Sequence, residues 1–175
     1  MTRYRSTCIA LVTALSFVGA TARTSNDGWL KFKGIDRTFS AEAPGLMESS
    51  TSVDRSSELG VVTAMTYKLM DEKRLLYIRD VKFAPEVVAS KPHSDEKVAK
   101  AIAMSMHSTS LSLSKKKFQG YNATYMTIQS GQYQTKGFLF WTKDHSYIVY
   151  ASDRLGDANS YECKRFLNSF RLTSK

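Results

Sequence analysis

The chain has 175 residues, a formal charge of +9 and only two cysteines. That is one domain's length, with 42% apolar residues, enough to bury a core without disulfide staples. The cysteine count excludes a disulfide scaffold and Cys-rich zinc modules.

The N-terminus comes first. Arg3 and Arg5 precede an uncharged, largely apolar run from Cys8 to Ala20, and Ala20-Thr21-Ala22 is a small-x-small exit. These are the three parts of a secretory signal, expected over residues 1–22 with cleavage between Ala22 and Arg23. The apolar run is shorter than the ~20 residues that cross a bilayer, so the mature chain is expected to have no transmembrane span. Cys8 opens the apolar run rather than following it, so it reads as part of that run and not as a lipid anchor. The expected product is an exported domain, 23–175, periplasmic or secreted. Loss of Arg3 and Arg5 lowers its charge to +7 and leaves Cys163 as its one cysteine, which rules out an internal disulfide.

Within that domain, Trp29–Phe32 and Phe39–Ala43 read as paired strands around Gly34-Ile35-Asp36, with Pro44-Gly45 as a stop. The Ser-rich stretch 47–58 lacks a sustained apolar period and reads as a mobile loop. Val61–Met70 and Arg74–Phe83 are strands around the turn Asp71-Glu72-Lys73.

A central helix is expected from the cap Ser94, with Asp95 and Glu96 in its first turn. Val98, Ala101, Ile102, Ser105, Met106, Thr109 and Leu113 lie along one face. That reading places His107 inside the helix, Lys115, Lys116 and Lys117 at its negative end, and Gly120 as terminator. Tyr121–Gln129, Gln132–Thr142 and Tyr147–Ala151 follow as strands, with turns at Ser130-Gly131 and Lys143-Asp144-His145-Ser146. Asn159 and Glu162 resemble a capping box. Cys163, Phe166, Leu167 and Phe170 then form the apolar face of a C-terminal helix, so Cys163 is expected to be buried.

The expected fold class is α+β: an antiparallel sheet of about six strands packed by two helices, in the order strands, helix, three strands, helix. The opening Phe39-Ser40-x-x-Ala43-Pro44-Gly45 and the close Phe166-Leu167-Asn168-Ser169-Phe170-Arg171-Leu172 resemble those of small exported bacterial proteins of unassigned function. Those proteins are similar in element order to the PsbP/Mog1-like α/β/α sandwich. The resemblance implies binding or assembly rather than catalysis, and it carries over no functional residue.

No nucleophile elbow, phosphate-cradling glycine loop or His-Glu-x-x-His is present, and His93, His107 and His145 have no metal-ligand spacing. No catalytic residue, metal or cofactor is therefore assigned. His145 with Asp144 reads as part of a polar turn. Lys115, Lys116 and Lys117 form the densest basic group and are the candidate contact for an anionic surface. No specific nucleic-acid signal is present, since the aromatic residues of 121–150 read as core. Asn122-Ala123-Thr124 fits a glycosylation sequon. The expected function is a non-catalytic exported domain that binds an unknown protein or an anionic envelope component. A small hydrolase with an unrecognised site, or a secreted effector or immunity-type protein, is the alternative.

Overall fold

The structure, a computed structural model, describes residues 23–24, 27–54, 62–83, 94–154 and 160–173. The leader with its Ala22, the histidine at 93 and the capping candidate Asn159 lie outside them, whereas Arg23 opens the first strand.

Two described sheets and two described helices make the fold. The larger sheet has the order β4(Glu48–Asp54), β5(Val62–Met70), β6(Arg74–Lys82), β10(His145–Asp153), β9(Tyr133–Trp141), β8(Tyr121–Ser130), β7(Ser110–Phe118). The smaller has the order β1(Arg23–Thr24), β2(Leu30–Lys33), β3(Phe39–Ala43), β11(Arg171–Leu172). Every described pairing is antiparallel. Helix α1 spans Asp95–Ser105 and packs on β7, β8 and β9; helix α2 spans Tyr161–Ser169 and packs on β3 and β10.

The α+β class thus holds, while the expected count of about six strands falls short. The expected single sheet is two, of seven and four strands, and three elements differ from their expected placement. First, the central helix stops at Ser105, and His107 adopts a left-handed φ of 50° just beyond it. Thr109 and Leu113 happen to continue the 3.6-residue register, but Ser110 to Ser114 alternates Ser and Leu with period two. Leu111 and Leu113 share the face that packs against α1, as strand alternation requires. Lys115–Lys117 are therefore strand residues, not a helix terminus, and Gly120 (φ 92°) serves the β7–β8 turn. Second, Glu48–Asp54, part of the expected loop, pairs along β5; its serines and threonines suit an edge strand with little to bury. Residues 55–61 lie outside the described set. Third, Ser160 is the cap of α2, its hydroxyl accepting from the Cys163 N–H, one position after the expected Asn159.

The larger sheet is covered on both sides. Its inner face meets the small sheet and α2 through an aromatic cluster in which Phe39, Phe140, Phe166 and Phe170 are fully buried and Tyr147 almost so. Phe39 stacks on Phe170 at 5.1 Å and Phe140 on Tyr147 at 5.1 Å. Cys163 is buried in this cluster, as its helical position required. The outer face receives α1: Ala99 and Ala103 lie against Met126, Ile128, Leu139 and Tyr150. Asp95 pins the helix start to the sheet, accepting from the Trp141 indole at 2.7 Å and the Thr124 hydroxyl at 3.2 Å. Gly137 is required by its neighbour. A Cβ there would collide with the Val149 carbonyl oxygen, and Tyr150, which stacks on Tyr77, fills the space instead.

Candidate functional site

The strand register places charged residues of the inner face in two very different settings. One cross-strand row runs Asp80, Tyr147, Phe140, Ala123, Lys116 from β6 to β7. At its inner end Asp80 is 4% exposed and fully engaged: it takes His145 Nδ1 at 2.6 Å and the Thr38 hydroxyl at 3.0 Å. His145 is itself buried and stacks on Tyr147. Burial opposes charge on this imidazole, but the hydrogen bond and charge of Asp80, helped by Asp144, outweigh it. The His145 pKa is accordingly raised above its ordinary value. Its other nitrogen, Nε2, lies 3.8 Å from an Asp144 oxygen. His145 is thus the first residue of β10 and not part of a polar turn, and its main partner is Asp80. The sequence gives no sign of this, because the two are joined only through cross-strand register.

At the outer end the same face opens into a cleft of about 510 Å³. Its floor is β7–β9, with Tyr125 and Phe138 at its centre, and its wall is the end of α2 and the start of β11, with Leu167, Asn168 and Arg171. Lys116 and Lys136 stand on the floor strands. Four residues along and two strands across separate their backbone positions, roughly 17 Å from strand spacings. Lys116 reaches over the Tyr125 ring, 5.8 Å from its centre. Burial raises the Tyr125 pKa, so the phenol stays a neutral donor at physiological pH. Arg171 donates through Nη1 to the Asn168 and Phe170 carbonyls at the helix end, 2.6 and 2.7 Å away. Among the described residues, no carboxylate lines the cleft. Among the described residues neither Lys116 nor Arg171 has an ion-pair partner.

Of the three lysines singled out from sequence, only Lys116 faces this cleft. Lys115 and Lys117 point to the other side of the sheet by strand alternation. There the Lys115 charge joins Lys100, the main partner, in lowering the Glu96 pKa. Lys136 belongs to no basic group of the sequence, and Arg171 groups there with Lys164, Arg165 and Lys175 rather than with Lys116, since both lie on other strands. No group of three or more His, Cys, Asp or Glu able to hold a metal occurs among the described residues. No described helix is long and apolar enough to cross a membrane.

Searches against known proteins return no matching family model and no matching curated protein. Among solved structures, that of cyanobacterial PsbP (CyanoP) from Synechocystis sp. PCC 6803 is similar over 90% of this chain and 98% of that one, at 10% identity and a TM-score of 0.53. The fold is PsbP-like. At that identity the likeness shows architecture alone.

Proposed function

We propose that the chain is an exported, non-catalytic PsbP-like domain that binds an anionic partner, a protein or another envelope component, through the cleft of Lys116, Lys136 and Arg171. The observation that carries this reading is the charge of the cleft: Lys116 and Arg171 stand at an aromatic floor without an ion-pair partner among the described residues, and no described carboxylate lines it. Such a surface favours extended anions and raises their rate of encounter. The expected leader at residues 1–22 supplies export in this reading, and N-terminal sequencing of secreted material should begin at Arg23.

A hydrolytic reading has less support. His145 and Asp80 have the chemistry of a base and its orienting carboxylate, but both are buried and neither lines the cleft. The test is titration of the protein with an acidic peptide, polyphosphate and anionic vesicles at low and high salt, before and after R171E and K136E. At least one probe should bind at low salt, weaken with salt, and weaken about tenfold or more on each charge reversal. Binding of none, or binding indifferent to both reversals, would overturn the reading.

A further inference from the structure

The three consecutive lysines of β7 pose a geometric problem that the cleft alone does not solve. Strand alternation sends Lys116 to the inner face and Lys115 and Lys117 to the outer face. A compact anion in the cleft meets one of the three. β7 is also the last described strand of its sheet, nine residues long, and Ser110, Ser112 and Lys115 to Lys117 along it are exposed. Every second residue of such an edge turns its N–H and C=O outward.

A ligand that meets all three lysines must straddle the sheet edge and alternate as β7 does, and an extended strand is such a ligand. We propose that β7 is a docking edge for an acidic, extended segment of a partner protein. The segment adds as a further strand and sets consecutive carboxylates alternately against Lys115, Lys116 and Lys117. This rests on the anionic-partner reading above and names the partner class.

The same lysines act against the wrong partner. A second β7, laid on this edge, would bring like charges together, the usual device that keeps an exposed edge from self-pairing. An acidic strand turns that repulsion into attraction. Its side chains on the inner face continue toward Ser114 and Lys116 at the rim of the cleft, so the edge and the cleft form one continuous surface. Leu111 and Leu113, already packed toward α1, give the outer face an apolar border. A segment with three acidic residues followed by alternating apolar positions matches this edge from Lys117 back to Leu111.

The probe is a labelled peptide with three consecutive glutamates followed by alternating threonine and valine, so that valines oppose Leu113 and Leu111, titrated into the full chain by fluorescence anisotropy. Its control is the same peptide N-methylated at alternate residues, which keeps every charge but removes the donors of a strand ladder. Strand addition predicts that the parent binds and the methylated form loses about tenfold or more. It also predicts that K115E and K117E each weaken the parent although neither lines the cleft, and that alternate β7 amides become protected from hydrogen exchange.

Equal binding of the two peptides, with no effect of K115E or K117E, would overturn strand addition while leaving the cleft reading standing. Polyphosphate or anionic vesicles binding more tightly than the peptide would overturn it too, as would self-association through β7 seen in sedimentation. Failure of every anionic probe, with R171E and K136E silent, would instead remove the cleft reading on which this rests.

Discussion

Asp80 and Lys116 lie on one cross-strand row of one sheet face, three strands apart between them, yet one is closed over and the other is open. The difference comes from what lies above each. Over β6 and β10 the small sheet and α2 bring down Phe39, Phe166 and Phe170. A charge there survives only with His145 and Thr38 as partners. Over β7 to β9 the described wall is the end of α2 and the start of β11, and Lys116 and Arg171 stand there without an ion-pair partner among the described residues. A charge answered from within serves the fold; a charge left to be answered from outside is where a partner can act. If this division is right, changes in the closed half should cost stability, and changes in the open half should cost binding.

The largest effect belongs to the aromatic cluster. Phe39 and Phe170 are fully buried and stack on each other. F39A or F170A should each destabilise by about 3–5 kcal/mol in urea unfolding. A loss below about 1 kcal/mol for both would mean that the cover over the closed half is not rigid.

G137A comes next. The added methyl meets the Val149 carbonyl oxygen and the Tyr150 side chain, so β9 and β10 must part locally, at about 1–3 kcal/mol. A neutral result would show that the two strands are less closely apposed than described. D95A should fall in a similar range, about 1–3 kcal/mol, because it strands the Trp141 indole N–H and the Thr124 hydroxyl together. Trp141 fluorescence would report the loss directly.

The buried pair gives a pH test of the closed half. With its folded-state pKa raised, His145 contributes stability that is complete below the ordinary histidine value of about 6.5 and is lost as pH rises through the folded-state value. Unfolding free energy should therefore decline across that window on the alkaline side. D80N should flatten the decline as well as lower stability, by about 1–3 kcal/mol from imperfectly satisfied partners. A wild-type profile already flat there would mean that His145 gains no proton affinity on folding.

How much of this was legible in the sequence follows from the range of each interaction. Strands with strong β-formers and clear turns, such as Val62–Met70 and Tyr121–Ser130, were legible almost to their ends, as was the burial of Cys163 from its place at i, i+3, i+4 and i+7 with Phe166, Leu167 and Phe170. The end of α1 was misread because Leu113 satisfies a helical and a strand period at once, and only pairing with Met126 decides between them. β4 was hidden because its serines carry no apolar alternation and its pairing comes from β5. The site was half legible. Lys116 was in view, but Lys136 and Arg171 join it only through sheet register and the turn from α2 into β11, and nothing local to either residue signals that meeting.

The smallest expected effect on stability is the most informative about function. Arg171 is exposed and lies beside helix-end carbonyls that it caps through Nη1. R171Q keeps a side-chain amide donor near those carbonyls and removes the charge, so stability should move by no more than about 0.5 kcal/mol. If the open half acts through charge, the same substitution should reduce binding of the acidic peptide and flatten its salt dependence, with R171K restoring both in part. If stability falls by more than about 1 kcal/mol while binding per folded molecule is unchanged, Arg171 belongs with Asp80 among the charges answered from within. The boundary between the closed and open halves would then lie further out, toward Lys116 on β7.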